Sequence, residues 1–252
     1  MKVSASLTAL TIIAVVSART FTVKNSCSYT VWPAIFTDLN VGSATPDQPT
    51  GWQANAGTAV SFNVPDNWTA GRIWGRTECD FSSNPGPTSC ATGGCNGGLL
   101  CDPHTGTGVP PATLAEFTLS GGGNLDNYDV SLVDGSNIPI KVTNNVGCGV
   151  PSCTVDLNLE CPTPLAVKDT SGKVVGCDSA CTANLDGNPA NSPNCCTGSH
   201  DTPSTCPGSG VAFYSYFKTA CPTSYAYAYD DPSALVQCNS SLAADYTIEF
   251  CP

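Results

Sequence analysis

The sequence predicts a mainly β protein, a sandwich or barrel of short strands held by disulfides, and three observations support this fold class. The 252 residues include 16 cysteines, an even number. The chain also contains 24 glycines and 20 prolines spread along its length, which is incompatible with long helices. Apolar residues mostly recur with a period of two, the repeat of a half-buried strand. Short strands separated by turn residues are typical of sandwiches and barrels.

Alternating apolar and polar residues place the individual strands in chain order. The first is Phe21-Thr-Val-Lys, and an Asp134-Gly135 pair marks a turn near the middle of the series. The predicted strands cover residues 21–24, 58–64, 72–77, 114–120, 128–133, 140–143, 225–229 and 246–250.

Two stretches depart from this pattern. Residues 78–111 hold four cysteines, many glycines and little periodicity, so we expect a stapled loop lobe. Residues 148–221 hold nine cysteines, with short helices predicted near 179–185 and 211–219. This second stretch has too little apolar surface to fold without its bridges. We therefore expect a β core of about residues 20–77, 112–154 and 222–252, a lobe at 78–111 and a disulfide-rich subdomain at 155–221.

The beginning of the chain predicts secretion. Lys2 precedes an apolar run at 7–16, and small residues follow up to Ala18, the pattern of a signal peptide at residues 1–18. The run is too short to span a bilayer, so no stable membrane insertion is expected. The mature domain would cover residues 19–252, outside the cell or in the cell wall, where disulfides persist. Asn67 and Asn239 begin N-glycosylation motifs.

The net charge limits the classes of molecule that the protein is expected to bind. Twenty acidic residues face nine basic ones, for a net charge of −11, which disfavours nucleic acids and anionic lipids. A neutral polysaccharide meets no such objection.

The sequence also lacks the motifs of metal and cofactor sites. No CxxC pair occurs, and His104 and His200 stand alone, so no metal site is predicted. No phosphate loop or GxSxG motif appears either, and we expect no cofactor.

Six segments in chain order resemble those of one known family. They are Cys27-Ser-Tyr-Thr-Val-Trp32, Gly71-Arg-Ile-Trp-Gly-Arg-Thr-Glu-Cys79, residues 92–101 with 110–117, residues 129–139, residues 214–222 and Phe250-Cys-Pro252. Together they span nearly the whole mature chain and are similar to the thaumatin-like proteins, the pathogenesis-related group 5 type. One departure is Gly94, where the family usually has aspartate.

The resemblance implies a flattened β-sandwich with two disulfide-rich loop lobes and eight disulfides. Sequence spacing alone leaves the cysteine pairing open; the family pattern selects one. The implied bridges are Cys27–Cys251, Cys79–Cys90, Cys95–Cys101, Cys148–Cys238, Cys153–Cys221, Cys161–Cys177, Cys181–Cys195 and Cys196–Cys206.

The resemblance also implies a cleft with one arginine, one glutamate and three aspartates. By position these are Arg72, Glu116, Asp129, Asp134 and Asp230, although Asp231 follows directly and the last match can shift by one. Independently of the family, alternation along 114–120 puts Glu116 on the polar face of its strand, where a solvated surface acid is the ordinary interpretation. Asp134 also fits a plain turn residue, and Arg72 fits a structural ion pair.

Glycoside hydrolysis needs two carboxyl groups, and a cluster of like charges keeps one of them protonated. We expect Glu116 to be the acid and Asp134 the second carboxylate, with Arg72, Asp129 and Asp230 completing the cleft. The resemblance thus implies an endo-β-1,3-glucanase acting on wall β-1,3-glucan, and we separately expect a monomer. The alternatives are a non-catalytic glucan-binding or antifungal protein and a stress-related protein whose cleft has no substrate. The aromatic residues either stack on sugars or belong to the core and to strand pairs. They are the four tryptophans, Trp32, Trp52, Trp68 and Trp74, and the ladder of Tyr225, Tyr227 and Tyr229.

Overall fold

The computed structural model describes residues 18–252. The predicted signal peptide therefore lies, except for Ala18, outside the described residues. Within residues 18–252 no helix combines the length and the hydrophobicity needed to cross a membrane.

Short strands make up most of the regular structure. In chain order they are β1 (Ala18–Asn25), β2 (Trp32–Thr37), β3 (Ala59–Pro65), β4 (Gly71–Arg76), β5 (Leu114–Gly121), β6 (Leu125–Ser131), β7 (Ile140–Asn144), β8 (Ser152–Cys153), β9 (Ala166–Lys168), β10 (Val174–Cys177), β11 (Val236–Asn239) and β12 (Tyr246–Phe250). Two short α-helices, α1 (Tyr214–Ala220) and α2 (Asp231–Ala234), accompany them. Single 3-10 turns cover Thr163–Leu165, Gly198–His200, Gly208–Gly210 and Ser240–Leu242.

The strands form two five-stranded sheets and one small hairpin. The first sheet has the order β3-β1-β12-β7-β8, the second has the order β11-β6-β5-β4-β2, and β9 pairs with β10 alone. Neighbouring strands are antiparallel except for β1 and β12. The parallel pair is formed by the first and last strands of residues 18–252, and both lie inside the first sheet and not at its edges.

Aromatic side chains join the two sheets face to face. Phe21 of the first sheet contacts Phe117 of the second, with 4.9 Å between ring centroids, and Phe117 contacts Tyr246 of the first at 5.5 Å. All three are buried. Edge-on and offset ring pairs add to the stabilisation that comes from burying the rings. The result is the predicted mainly β sandwich.

The eight disulfides join the same cysteine pairs that the resemblance implies, and no cysteine of residues 18–252 is free. The Cys27–Cys251 bridge spans 224 residues, which in the chain-entropy picture restricts the unfolded state most, by about 5 kcal/mol at the upper bound. Residues 78–111 contain two short-range bridges and no named strand.

Two predicted elements are wrong. Residues 225–229 are not a strand: only Tyr225 makes a bridge, to Ser131, because the Asp230 carboxylate accepts a hydrogen bond from the Ala226 N–H and closes a turn there. Residues 179–185 form consecutive turns and not a helix. Cys181 in this segment is tied to Cys195. The helix predicted near 211–219 is α1, and it begins at Tyr214.

Candidate functional site

A row of charged side chains crosses the middle of the second sheet. Strand register places Arg72 of β4 opposite Glu116 of β5, and Glu116 opposite Asp129 of β6. Directly opposed residues share one face of a sheet, so these three side chains stand side by side. The next residues along the strands point the other way, and there Ala115 and Val130 are fully buried in the core.

Arg72 bridges two of the carboxylates. Its Nη2 lies 3.4 Å from Glu116 Oε1, and its Nη1 lies 3.8 Å from Asp134 Oδ2. Asp134 follows the end of β6, where Gly135 N–H donates to the Leu132 carbonyl and turns the chain. The turn aims the Asp134 carboxylate back toward the row, which strand alternation alone could not do.

The turn that carries Asp134 rests on the disulfide-rich subdomain. Ser136 and Cys177 exchange two backbone hydrogen bonds of 2.7 Å, and Cys177 is in turn bonded to Cys161. Gly135 has φ of +84°, and a Cβ there would lie 2.6 Å from the Cys177 carbonyl oxygen. The position of Asp134 therefore depends on close contact between the β core and the subdomain.

Two adjoining cavities flank the row, of about 350 and 360 Å³. Both are lined by Arg72, Glu116 and Asp129, so they form one cleft that passes over the row, which we call the acidic cleft. One half continues along Phe36, Thr118 and Asn127. The other half continues along Asp134, Tyr225 and Asp231.

The structure does not place Asp230 in this cleft. Its carboxylate is buried and held by Lys218 Nζ at 2.9 Å, the Ala226 N–H and the Ser233 hydroxyl, which is a structural role beside α2. The neighbouring Asp231 lines the cleft instead, and the Tyr225 hydroxyl donates to its Oδ1 over 3.2 Å. The fifth position of the implied set thus falls one residue later than predicted.

The environment raises the pKa of all three central carboxyls. Burial raises the pKa of Glu116, which attraction to Arg72 partly offsets and repulsion from Asp134 increases. Burial also raises the pKa of Asp134 against the attraction of Arg72. The pKa of Asp129 is raised furthest, well above its usual range, because burial is reinforced by repulsion from Glu116 and Asp231. One oxygen of Asp129 is buried without a partner among the described residues.

These groups can divide acid and base roles between them. A carboxyl with a raised pKa stays protonated at mildly acidic pH, while a neighbour close to a guanidinium ionises first. Within residues 18–252 no group of three His, Cys, Asp or Glu side chains is arranged to hold a metal ion.

The sequence predicts two residues of the cleft only indirectly, because Tyr225 falls in a predicted strand and Asp231 appears only as a shifted match for Asp230. Asp178 does not line the cleft, but it lies against the turn that carries Asp134, and the sequence does not predict its environment. Its Cα lies 3.0 Å from a Cβ built at Gly135, one of its oxygens is buried without a partner among the described residues, and burial raises its pKa to about 6. No local pattern around Asp178 signals this, since its burial comes from packing against a distant turn.

Comparison with known proteins identifies the chain's relatives. The model of the Thaumatin family matches residues 25–252. A pathogenesis-related thaumatin-like protein 3.5 of Cryptomeria japonica is 43% identical, covering 93% of this chain and 90% of that protein. Thaumatin-like protein 1 of Prunus persica is 40% identical over the full length of both.

A solved structure shares the fold at low sequence identity. The laminaripentaose-producing β-1,3-glucanase in complex with laminaritetraose superposes with a TM-score of 0.57 at 12% identity, covering 93% of this chain and 99% of that one. Such a likeness speaks for the architecture alone. The family match over residues 25–252, the full-length relatives and the eight disulfides together establish that this chain belongs to the thaumatin family.

Proposed function

We propose that this protein is an endo-β-1,3-glucanase that hydrolyses cell-wall β-1,3-glucan in the acidic cleft. The observation that carries the proposal is the guanidinium of Arg72 between two carboxylates, Glu116 and Asp134. A cleft that extends to both sides of this group suits a polymer lying across it, which is the binding geometry of an enzyme that cuts within a chain.

Glu116 acts as the acid and Asp134 as the second carboxylate. The raised pKa of Glu116 keeps a proton available for the glycosidic oxygen as the bond to the anomeric carbon breaks. Asp134 then either attacks that carbon or takes a proton from the water that does. Arg72 holds Asp134 ionised and orients both groups. The configuration of the released sugar, followed by NMR, distinguishes the two routes, since attack by Asp134 retains it and attack by water inverts it.

Asp129 is a second candidate for the acid. Its pKa is raised further than that of Glu116, and it stands directly opposite Glu116 across the strand pair. In the preferred assignment Asp129 stays neutral, because burial and repulsion from Glu116 and Asp231 raise its pKa. Glu116 is kept protonated by burial and by repulsion from Asp134. Separate Glu116→Gln and Asp129→Asn variants resolve the roles: the acid's loss costs about 10²–10⁴-fold in turnover, and the neighbour's loss mainly shifts the pH profile.

The comparisons agree with the proposed function in its coarser part, a defence protein whose fold is shared with a glucanase. The glucanase that shares the fold was solved with laminaritetraose, and curated relatives include pathogenesis-related proteins of Cryptomeria japonica and Arabidopsis thaliana. A role in defence, with a wall polysaccharide as the target, is consistent with both. The names of the relatives do not specify catalysis, so the proposal depends on the cleft.

The deciding experiment measures reducing sugar released from laminarin. We expect turnover by the wild type, loss with Glu116→Gln, and no change with Glu160→Gln, which removes an exposed carboxylate outside the cleft. A parallel pull-down on insoluble β-1,3-glucan separates binding from hydrolysis. Wild type that binds but releases no sugar would identify a non-catalytic glucan-binding protein, and wild type that does neither would leave the cleft without this substrate.

We further propose that the protein is secreted as a monomer after removal of residues 1–18. Cleavage after Ala18 would make Arg19 the first residue of the mature chain, and the Arg19 side chain is buried and paired with Asp126. Asn67 and Asn239 are both exposed, as glycan attachment requires. N-terminal sequencing, mass spectrometry before and after deglycosylation, and size-exclusion chromatography of the secreted protein test these points.

A further inference from the structure

A second cavity, of about 670 Å³, lies apart from the acidic cleft. It is enclosed by the segment before β2, the residues that follow β4, and two segments of the disulfide-rich subdomain. None of its lining residues is shared with the two halves of the acidic cleft. We call it the aromatic cavity and define it by Tyr29, Trp32, Glu78, Asp156, Leu159 and Lys173.

Apolar and aromatic side chains in this cavity are left open to solvent. Leu159 is 78% exposed and Tyr29 is 47% exposed, while Trp32 is half-buried. Large apolar side chains gathered in a concave place, and not scattered singly, are typical of binding sites. The other two tryptophans of the second-sheet region, Trp68 and Trp74, are fully buried, so Trp32 differs from them in being available to a ligand.

Polar groups stand at the edges of the same cavity. Lys173 Nζ lies 3.5 Å from Glu78 Oε1, and both side chains are well exposed. Asp156 accepts a hydrogen bond from the Asn158 N–H, which fixes its carboxylate. Burial and the charges of Asp156 and Glu78 raise the pKa of Tyr29, and all three residues line the same cavity.

This combination restricts the chemistry of the ligand. Two carboxylates against one lysine disfavour an anion, and the same acids disfavour a purely apolar molecule, whose arrival would strip them of water. A sugar ring satisfies both sets of groups, because its C–H face packs on aromatic and alkyl side chains while its hydroxyls donate to carboxylates. The volume lies in the range that encloses small ligands, enough for a short oligosaccharide.

We propose that the aromatic cavity binds a short neutral oligosaccharide, independently of the acidic cleft. Tyr29 and Trp32 stack on the sugar rings, Leu159 covers them, and Glu78 and Asp156 accept hydrogen bonds from hydroxyls. The proposal does not rest on hydrolysis in the acidic cleft: a protein without glucanase activity can still bind sugar here.

The test is NMR chemical-shift mapping of the full mature protein with laminaritriose, cellotriose and xylotriose. We expect at least one of them to shift the amide signals of residues 29–32, 156–159 and 173–175. Tyr29→Ala should weaken this binding at least about tenfold, whereas Tyr29→Phe, which keeps the ring, should stay close to wild type. Leu159→Ser should also weaken it, with Leu242→Ser as the control, since Leu242 is another exposed leucine, at 51%, that does not line the cavity.

The site-resolved signals keep the two sites distinguishable. Shifts confined to residues of the acidic cleft, or no shifts with any of the three sugars at millimolar concentration, would overturn the proposal. Shifts that appear only with a cationic oligosaccharide, such as fully deacetylated chitotriose, would also overturn the proposal. Absence of laminarin hydrolysis would leave it standing.

Discussion

Arg72 Nη2 lies 3.4 Å from Glu116 Oε1 across the β4–β5 pair, and the same guanidinium reaches Asp134 at 3.8 Å. One cation thus opposes the rise in pKa that burial imposes on both carboxyls. Replacing Arg72 by Met removes that attraction, so the pKa of Glu116 and of Asp134 should rise further. Laminarin hydrolysis should fall, and the acid limb of its pH profile should move to higher pH. Arg72→Lys, which keeps the charge, should move it less; an unmoved limb in Arg72→Met would refute the role of Arg72.

The turn at Gly135 offers a test of the contact between core and subdomain. Gly135→Ala combines backbone strain at φ +84° with a clash against the Cys177 carbonyl, and should cost about 2–4 kcal/mol of unfolding free energy. It should also lower glucanase activity, since Asp134 is displaced. Gly57 has φ of +76° with nothing within 4 Å, so Gly57→Ala is the matched control and should cost only about 1–2 kcal/mol. Guanidinium unfolding compares the two; equal costs would contradict the argument.

Adjacent aspartates at the start of α2 should behave oppositely. Asp230 is buried against Lys218, whereas Asp231 is exposed and lines the cleft. Asp230→Asn should therefore lower the melting temperature, and Asp231→Asn should weaken binding to insoluble glucan with little change in melting temperature. Thermal unfolding and pull-down on the two variants decide it, and a stable Asp230→Asn that no longer binds glucan would restore Asp230 to the cleft.

A buried ion network near the chain start should govern acid stability. Burial by itself would raise the pKa of Asp126, but hydrogen bonds from Ser240, Ser120, Tyr246 and Arg19 lower it overall. A carboxyl whose folded pKa lies below its unfolded value stabilises the fold above the unfolded pKa, about 3.9, and loses that contribution as pH falls through the folded pKa. Stability should thus decline below about pH 4.

Asp126→Asn should remove this acid dependence and cost about 3–5 kcal/mol at neutral pH, because Arg19 is left without its buried partner. Asp66 also pairs with Arg19 but is partly exposed, so Asp66→Asn should cost about 1 kcal/mol or less. Denaturant unfolding from pH 3 to pH 7 measures both. A wild-type profile that stays flat in acid, or an Asp126→Asn profile that falls as steeply as wild type, would contradict this role of the network.

Asp178 should give the opposite pH dependence. Burial raises its pKa from 3.8 to about 6. The contribution of the protonated carboxyl to the free energy of unfolding is therefore fully present below pH 3.8 and is lost as the pH rises through about 6. Asp178→Asn should consequently be more stable than wild type at pH 7 and similar to it at pH 4. The comparison uses the same unfolding measurements, and a variant less stable at pH 7 would show that the ionised carboxylate has a partner.

The parts of the fold that sequence predicts are those with strict alternation. Strands β1, β5 and β12 bury every second residue, and each lies within a few residues of its predicted range. Strand β2 was not among the predicted strands because its burial is nearly continuous and it contains Pro33. The alternating tyrosines of 225–229 mislead for a different reason: Tyr227 packs edge-on against Tyr214 of α1, at 5.4 Å, and not in a sheet.

In the candidate site, too, the sequence pattern predicts some features, whereas others depend on tertiary contacts. Alternation places Glu116 on the polar face, but only the register between strands sets it opposite Arg72 and Asp129. That register depends on pairings across some 40 residues of chain, including the whole 78–111 lobe. Which of Asp230 and Asp231 lines the cleft depends on which carboxylate pairs with Lys218. Two adjacent aspartates look the same in the sequence, so this tertiary contact cannot be predicted from it.

The bond between Cys27 and Cys251 closes residues 27–251 into a covalent ring, and the parallel pairing of β1 with β12 holds the two strands beside that bond together. A single protease cut anywhere between those two cysteines opens the ring without releasing a fragment. Two cuts are required before any piece can leave, and further bridges hold most such pieces. A protein built this way can be nicked in an exposed loop and still present an intact surface to its surroundings.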